Sequence, residues 1–419
     1  MQYIPYPQKL LLCTLLCFSL VHCSDSSRPE YTKTEYIQVL DETPQHIQAV
    51  ENLNIFSGDS ETIYSIELIP VQSFGKTGEP YLTKILECVV DDKNRIIIYD
   101  SRPYSSGSYP FLYRVYAYNA DGTYHTQIGG PGRGPGEYGM VFGVQAEAGK
   151  VFVLDYTSQR LNVYNTNDYS FERSTLIEQW AIRDQEVVEG LKFGGIETRN
   201  DGNHIVIFYK RDSDTGRLIN TYLLMDTSGN ALNFKPLVFP STLNIQEKTI
   251  PPTPSVPAPF MGKTITALSS EDWLYSAWTQ DFLIRKYDEN GVYKSAIYYP
   301  VKGSPFDLSD YTEKARYNQQ DVISALDQID EELPESNPVI ADLVVDDENR
   351  IWVAVPTGAK EDNYEWWILK ESGELLAKLL HPSDEPIYEI KNGYLYSKKT
   401  NEEAGTEYSV KYRIELTEK

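Results

Sequence analysis

The sequence predicts an all-β protein, a six-bladed β-propeller of four-stranded antiparallel blades, from three observations. First, residues 89–100 read VVDDKNRIIIYD and residues 344–355 read VVDDENRIWVAV, and each copy has the pattern of strand, tight polar turn and strand. Second, units of four short strands recur about every forty to sixty residues, which is typical of propeller blades. Third, the last unit is one strand short, whereas an unassigned strand stands near the start of the chain.

Five complete units are predicted, each a meander whose short turns are built of Asp, Asn and Gly, residues that accept tight-turn dihedrals. Their first strands are VV at Val89, VQAE at Val144, IETR at Ile196, ITAL at Ile265 and ADLVV at Ala341. A sixth unit from Ile387 has three strands, and residues 63–74, IYSIELIPVQSF, supply the fourth. We therefore expect the N-terminal strand to close the last blade and remove its free edge. A pair of sandwiches is the alternative, but it does not predict this complementary shortage of strands.

Two long links interrupt the repeat. Residues 308–333, between blades four and five, show helical spacing of apolar side chains, with Ser309 as an N-cap and Pro334 after the end, so a short helical insertion is predicted. Residues 251–259, PPTPSVPAP, lie between blades three and four and predict an extended, semi-rigid segment. Both inserts are expected near the mouth of the propeller channel.

The first residues predict export from a bacterial cell. The apolar run over residues 10–21 is too short for a membrane-spanning helix, which needs about twenty residues, but it suits the core of a signal peptide over residues 1–23. Leu20-Val21-His22-Cys23 resembles a bacterial lipoprotein box, although a small residue is usual where His22 stands. We expect lipidation of Cys23, with simple cleavage and secretion as the alternative.

The domain organisation follows from this reading. Residues 24–60 are expected to form a polar tether with local structure near residues 37–50, and residues 61–419 are expected to form the propeller. The protein would then be anchored through its lipid to the outer membrane or cell envelope. Cys88, the one cysteine outside residues 1–23, lies in an apolar strand and is expected to be a buried, inert thiol.

The charge of the chain excludes one class of partner. The chain has 61 Asp and Glu residues against 38 Lys and Arg residues, a formal net charge of -23 at pH 7. A protein binds a phosphate backbone through clustered Lys and Arg that displace its counterions, so nucleic acid is not an expected partner. The same charge suits an exported protein, because a net charge far from zero favours solubility.

One family shares these motifs. Repeats of the form VxDxxxRIxVxD, the linker GGPGRGPGEY at residues 129–138 and KVFVLDYTSQRLNVYN at residues 150–165 resemble the six-bladed propeller lipoproteins common in Bacteroidota, relatives of the NHL-repeat propellers. The resemblance extends from Ile63 to the end of the chain. It implies a propeller fold and an envelope location. It implies no reaction, since most members of that family have no established activity.

The two ends of a propeller differ in their loops. In a four-stranded blade the second-to-third turns and the links between blades share one end, called here the loop-rich face, and the other turns share the opposite end, the turn face. The loops of the first end are long and varied, and such loops on a rigid scaffold usually carry binding residues. The predicted ligand-binding residues combine charged side chains with aromatic rings that can stack on a sugar or grip a peptide. They are Arg102, Tyr104, Arg133, Glu137, Tyr138, Arg160, Arg211, Trp278 and Tyr364.

Familiar catalytic and metal motifs are missing from the sequence. Residues 129–138 lack the Lys-Ser/Thr ending of a P-loop and open a strand instead of a helix, so nucleotide binding is not expected. The acidic turn of the repeat lacks the spaced oxygens and distal Glu of a calcium loop. His46, His125, His204 and His381 are not paired at zinc-ligand spacing, and there is no GxSxG nucleophile. We therefore expect no catalytic residue, no metal and no cofactor.

The expected function is binding without catalysis, with a glycan or peptide ligand or a partner protein held on the loop-rich face. The alternative is a metal-dependent propeller hydrolase or lyase with its site in the central channel. A structural subunit of an envelope assembly is a third possibility. The channel side chains distinguish the first two, because three or more convergent carboxylates or histidines favour an enzyme, whereas aromatic rings and Arg favour recognition.

Overall fold

The structure, a computed structural model, describes Leu40 and residues 43–103, 111–176, 190–213, 215–245, 256–258, 260–312, 333–358 and 362–419. The predicted signal peptide with Cys23, the predicted contact residue Tyr104 and most of the two long inserts lie outside the described residues. No helix in the described residues is long and apolar enough to cross a membrane.

The first half of the chain forms an N-terminal segment and three blades. The segment contains α1 (Gln45–Gln48), β1 (Leu53–Ile55) and β2 (Tyr64–Phe74). Blade one contains β3 (Ile85–Val90), β4 (Ile96–Pro103), β5 (Phe111–Tyr118) and β6 (Tyr124–Gln127). The following link carries the short parallel pair β7 (Gly130–Pro131) and β8 (Glu137–Tyr138). Blade two contains β9 (Val141–Glu147), β10 (Lys150–Asp155), β11 (Arg160–Asn165) and β12 (Phe171–Leu176). Blade three contains β13 (Lys192–Thr198), β14 (His204–Arg211), β15 (Arg217–Met225), β16 (Leu237–Ile245) and the edge strand β17 (Val256–Pro257).

The second half forms three more blades. Blade four contains β18 (Thr264–Leu268), β19 (Leu274–Trp278), β20 (Leu283–Tyr287) and β21 (Tyr293–Tyr298). Helix α2 (Leu308–Thr312) begins where the helical insertion is predicted, and residues 313–332 lie outside the described part. Blade five contains β22 (Asp342–Val345), β23 (Ile351–Pro356), β24 (Asn363–Leu369) and β25 (Leu375–Pro382). Blade six contains β26 (Ile387–Lys391), β27 (Tyr394–Asn401) and β28 (Thr406–Glu418).

The N-terminal strand closes the last blade. β2 pairs antiparallel with β28 from Tyr64 opposite Glu418 to Phe74 opposite Ser409, and it completes the sheet β26-β27-β28-β2. Ile66 and Leu68 of β2 pack against the apolar core between blades five and six. The prediction of six four-stranded antiparallel blades, closed by the N-terminal strand, is thus confirmed.

The described end of the predicted tether is structured, because residues within 43–60 pack on blade four. β1 pairs in parallel with β21, with Leu53 opposite Ala296, and it covers the outer edge of that blade. Ile47 of α1 and Ile55 of β1 are buried against Leu283 and Tyr298. Only a few apolar residues, spread over one short helix and one short strand, make these contacts. The segment therefore shows no sustained hydrophobic periodicity in its sequence.

The repeated acidic turn is a self-contained structural device on the turn face. Asp91 Oδ1 accepts hydrogen bonds from the backbone N–H groups of Lys93 and Arg95 at 2.9 Å, and Oδ2 accepts from Arg95 Nε at 2.9 Å and the Tyr169 hydroxyl at 2.7 Å. Asn94 takes a left-handed conformation with φ 59°, which Asn tolerates well. The protein's own donors occupy both carboxylate oxygens, so the motif is explained without calcium.

The second copy of the repeat, in blade five, uses the same turn and arginine bonds, with a different third side chain on Oδ2. Asp346 Oδ1 accepts from the backbone N–H groups of Glu348 and Arg350, and Oδ2 accepts from Arg350 Nε at 2.7 Å and Trp352 Nε1 at 2.8 Å. Asn349 is again left-handed, with φ 60°. The similar sequences therefore reflect a common local fold.

A second set of buried aspartates holds the loop-rich face. Asp100, which ends the repeat in blade one, accepts from the backbone N–H groups of Thr83 and Lys84 at 2.7 and 2.9 Å, just before β3 begins. Asp155 makes equivalent bonds to Gly139 and Met140 at 3.2 Å, just before β9. Each carboxylate thus fixes the point at which a link enters its blade, which makes the base of the loop-rich face rigid.

The thiol of Cys88 is buried as predicted. It lies 1% exposed in the core between blades six and one, with Sγ 3.8 Å from Ser409 Oγ. Burial raises the pKa of the thiol. Because the thiolate is the reactive form, the raised pKa makes Cys88 unreactive.

Candidate functional site

The first strands of the six blades line a central channel. A cavity of about 270 Å³ in this channel is bounded by residues from β3, β9, β13, β18, β22 and β26. Glutamates from four consecutive blades reach this wall. They are Glu389 of blade six, Glu87 of blade one, Glu147 of blade two and Glu197 of blade three.

Burial changes the acidity of these carboxyl groups. It raises the pKa of Glu87, Glu197 and Glu389 to about 7 each, and it also raises that of Glu147. The protein surrounds the side chains closely, so the charged form loses solvation, and few hydrogen bonds compensate for the loss. The pKa of Glu389 is raised further by Glu147 and Glu87 and lowered by Lys391.

Polar contacts hold the carboxylates in separate places. Glu87 Oε2 accepts from the backbone N–H of Val144 at 2.8 Å, and Glu197 Oε1 accepts from the Thr266 hydroxyl at 3.5 Å. Lys391 Nζ lies 3.8 Å from Glu147 Oε1 and donates to the carbonyl of Val90 at 3.2 Å. Within the described ranges, no group of three or more His, Cys, Asp or Glu side chains is placed to hold a metal ion.

Sequence reasoning missed these glutamates. The signal that could have found them is a single Glu inside or at the end of the otherwise apolar first strand in four blades, as in ILECVV of blade one and IYEI of blade six. By the stated criterion, three or more carboxylates that converge would favour channel chemistry over recognition. These glutamates share one wall but are held in separate places, and the described residues contain no group placed to hold a metal ion.

The raised pKa values predict a pH-dependent stability. Glu197→Gln is expected to raise the free energy of unfolding at pH 8 by on the order of 1–3 kcal/mol, after allowance for channel solvent, and to change it little at pH 5. The folded carboxyl has a pKa of about 7 against 4.5 in a free side chain, so the stability contributed by the neutral form is complete below pH 4.5. That stability is lost as the pH rises through 7, whereas Gln stays neutral.

Urea denaturation at the two pH values measures this effect. Comparing variant with wild type at each pH cancels other titrations, such as that of His204, whose pKa burial lowers to about 4. Glu67→Gln, on the exposed side of β2, is the matched control and should change neither value. An equal effect of Glu197→Gln at both pH values would contradict the raised pKa.

A second cavity opens on the loop-rich face between blades four and five. It measures about 360 Å³ and combines charged, polar and aromatic side chains. They include Lys263, Thr279, Tyr311, Asn337, Asp362 and Tyr364.

The polar groups of this cavity are partly organised already. The Tyr311 hydroxyl donates to Asn337 Oδ1 at 2.9 Å, and Asn337 Nδ2 donates to Ser304 Oγ at 3.0 Å. Burial raises the pKa of Tyr364, and the nearby Asp342 raises it further, so the phenol stays neutral and can donate. Burial raises the pKa of Asp342, and the exposed ammonium of Lys263 partly offsets that rise.

The structure places the predicted arginines on the loop-rich face, where three of the four guanidinium groups bond to their own surroundings. Arg102 Nε donates to Asp100 Oδ2 at 2.9 Å and a second guanidinium nitrogen donates to the Tyr81 carbonyl. Arg160 donates to the carbonyl of Arg133 at 3.3 Å, so these two lie together, and Arg211 donates to the carbonyl of Asn244 at 3.2 Å. These contacts hold neighbouring loops and leave the Arg133 side chain exposed.

The predicted role of Tyr138 needs correction, whereas that of Glu137 stays a prediction. Tyr138 is 0% exposed in the core between blades one and two, where its hydroxyl donates to the carbonyl of Ile128 at 2.9 Å. It fills the wedge between blades and cannot face a ligand. Glu137 is exposed, but its Oε2 accepts from the backbone N–H of Gly134 at 2.7 Å, so it folds back on its own loop.

The two remaining predicted residues lie at blade four and at the second cavity. Trp278, at the end of β19, has the Arg217 guanidinium 5.7 Å from its ring centre, and Arg217 also donates to the carbonyl of Gly262. Tyr364 lines the cavity between blades four and five. Of the eight predicted residues that the structure describes, Tyr364 is therefore the one among those cavity walls, and Lys263 and Asn337 were not foreseen.

Comparisons with known proteins agree on the fold. Residues 45–233 match the family DUF5128, described as a 6-bladed beta-propeller. The match extends from α1 through blade two and into blade three. None of the curated proteins matches the chain significantly.

Several solved structures are similar in shape over most of their length. A Bacteroides fragilis protein provisionally described as exported is 12% identical, with a TM-score of 0.48, and the alignment covers 87% of this chain and 100% of that one. A member of the duf4221 family from Bacteroides vulgatus is 11% identical, with a TM-score of 0.45 and coverage of 85% and 100%. The PQQ-bound aldose sugar dehydrogenase of Streptomyces coelicolor is 11% identical, with a TM-score of 0.41 and coverage of 84% and 99%. At these TM-scores the similarities carry no argument about activity.

Proposed function

We propose that this protein is an exported propeller, anchored to the bacterial envelope through Cys23, that binds a glycan or peptide on its loop-rich face without changing it chemically. The observation that carries the proposal is the cavity between blades four and five. Its volume of about 360 Å³ lies near the lower end of the ~300–1,000 Å³ typical of small-ligand sites. A short segment of a glycan or peptide fits such a space.

The chemistry of the walls matches a polar ligand with flat or apolar parts. Lys263 offers an ammonium donor and Asp362 a carboxylate acceptor on the same cavity. The rings of Tyr311 and Tyr364 add apolar surface together with hydroxyl groups, a combination that suits recognition because the polar tip orients what the ring contacts. Loops that meet on a closed ring of blades hold these groups in place.

Binding can be tested with a panel of soluble oligosaccharides and short peptides by isothermal titration calorimetry. We expect Tyr364→Ala and Lys263→Ala each to weaken binding at least about tenfold, as truncation of a central contact does, with an unchanged melting temperature for the exposed Lys263. Tyr124→Ala, an exposed tyrosine on the outer strand β6, is the control and should bind like wild type. Unchanged affinity in both cavity variants would overturn this site.

The anchor rests on the sequence of residues 20–23, and mass spectrometry of the mature protein tests it. We expect the mature chain to begin at Cys23 and to carry the mass of a lipid on that residue. Cys23→Ala should release the protein from the membrane fraction. If the mature wild-type chain carries no lipid, the protein is cleaved and secreted without an anchor.

The channel glutamates favour a second candidate, acid–base hydrolysis of a ligand that enters the channel. A carboxyl with a pKa near 7 can act as a general acid or base at neutral pH, and Glu87, Glu197 and Glu389 all have such values. The calorimetric binding experiments, followed by analysis of the recovered ligand, distinguish the two functions. Cleavage products that disappear in Glu389→Gln would establish the enzyme, whereas an intact recovered ligand supports binding alone.

A further inference from the structure

Two aromatic rings stand exposed together on the loop-rich face of blade two. Phe142 is 52% exposed and Tyr156 is 46% exposed, and their ring centroids lie 5.6 Å apart with planes tilted by 32°. Phe142 belongs to β9, a strand that lines the channel, and Tyr156 follows the end of β10 in the second-to-third turn. The pair therefore lies beside the channel mouth.

A β-bulge turns Phe142 outward. Leu154 pairs with Gly143 and Asp155 pairs with Val141, so Phe142 is the extra, unpaired residue of β9. Bulges of this kind re-aim a side chain and recur next to functional sites. In a regular strand, successive side chains point to opposite faces of the sheet. Without the bulge, this alternation would set the direction of the Phe142 ring.

The same bulge recurs in three other first strands with different side chains. The extra residues there are Leu86 in blade one, Gly194 in blade three and Tyr388 in blade six. Tyr388 donates its hydroxyl to the carbonyl of Ile85 at 2.9 Å, so that ring has an internal role. In blade two the position holds a phenyl group, which has no polar atom to bond and is more than half exposed.

The backbone under the pair is held rigidly. The buried Asp155 accepts from the backbone N–H groups of Met140 and Thr157 at 3.2 and 3.0 Å, on either side of the two rings in the chain. The backbone N–H of Tyr156 donates to the carbonyl of Met140 at 2.8 Å. A ring pair on a fixed backbone loses little conformational freedom when a ligand stacks on it, which favours binding.

The surroundings fit a neutral sugar better than an acidic one. Neighbouring exposed rings of this kind can mark an interaction site, because burying such a ring in a complex removes apolar surface from water. Glu87 places a carboxylate on the channel wall next to β9, where it bonds to Val144, two residues beyond Phe142. A pyranose ring offers an apolar C–H face to an aromatic ring and hydroxyl donors to a carboxylate. The net charge of -23 disfavours an acidic polysaccharide.

We propose that Phe142 and Tyr156 form a stacking subsite for a pyranose ring, so that the ligand of the loop-rich face is a neutral glycan. The subsite rests on the proposed function, because both place the ligand on the loop-rich face. It does not depend on the cavity between blades four and five. It assigns a glycan where the proposed function allows a glycan or a peptide.

The test measures binding of neutral oligosaccharides of glucose, mannose and xylose, and of a Lys-rich peptide, to the full mature protein. Phe142→Ala is expected to weaken glycan binding at least tenfold and to leave the melting temperature unchanged, because the ring is exposed. Phe142→Trp is expected to bind like wild type and to change its fluorescence when the glycan is added. Val238→Ala removes an equally exposed apolar side chain from β16 and should have no effect.

Three results would overturn the subsite. They are wild-type affinity in Phe142→Ala, a fluorescence of Phe142→Trp that ignores the glycan, and binding of the Lys-rich peptide but of no glycan up to millimolar concentration. If Phe142→Ala binds normally while Tyr364→Ala does not, the subsite fails and the proposed function survives. If the wild type binds neither glycan nor peptide, both fail.

Discussion

Replacing Asp91 with Ala is expected to lower the free energy of unfolding by about 3–5 kcal/mol, as the loss of one partner from a buried ion pair does. Asp91 lies 2.7 Å from Arg95 Nη2, and side-chain exposure is 0% for the aspartate and 9% for the arginine. The variant leaves that guanidinium buried without its carboxylate. It also removes the acceptor of the Tyr169 hydroxyl, which comes from blade two. The contact between blades one and two therefore weakens together with the turn.

Urea denaturation followed by tryptophan fluorescence measures this loss. Asp92→Ala is a matched control, because the neighbouring carboxylate is exposed, and it should change the free energy of unfolding by less than about 0.5 kcal/mol. Asp91→Asn keeps an oxygen acceptor for the turn but removes the charge, so we expect an intermediate value. Equal stability of the Asp91 and Asp92 variants would show that the turn does not depend on the ion pair.

The parts of the fold that could be predicted are those whose causes are visible in the order of residues. The turn motif recurs because Asp91 and Asp346 each bond to an arginine four residues later, and that spacing is visible in the sequence. The closure by β2 could be predicted because a missing strand and a spare strand balance within one chain. Neither inference needed knowledge of distant contacts.

The parts that could not be predicted depend on long-range packing. The ring of Tyr138 lies in a glycine-rich link that looks exposed in sequence, yet it fills the space between two blades. The bulge that turns Phe142 outward is a shift in register between β9 and β10, and a register shift leaves no mark in the order of residues. The pKa values of Glu87 and Glu389 are likewise set by blades that are far apart in the chain. The fold class could thus be predicted from the order of residues, whereas the candidate site depends on contacts between blades that are distant in the chain.

Removing residues 1–74 is expected to abolish the folded state, because it deletes β2 from the closing blade. The 13-residue strand β28 would then expose its edge, and the apolar contacts of Ile66, Leu68 and Phe74 would be lost on both sides of blade six. An open edge also favours pairing between chains, so aggregation is expected with the loss of the near-ultraviolet circular dichroism of the fold. Since typical domains are stable by only about 5–15 kcal/mol, losing a whole strand of a closed ring exceeds what the remaining blades can offset.

Two shorter truncations separate closure from the other N-terminal contacts. Removing residues 1–39 leaves Leu40, α1 and β1 in place and should keep the melting temperature of the longer chain. Removing residues 1–60 also deletes β1, which uncovers the edge of blade four but keeps the ring closed, so a lower melting temperature with a cooperative transition is expected. A synthetic peptide of residues 61–76 added during refolding should restore the cooperative transition to the chain that lacks residues 1–74. If that chain melts like the one lacking residues 1–60 without the peptide, then the propeller does not depend on its closing strand, and the ring is held by the contacts between blades alone.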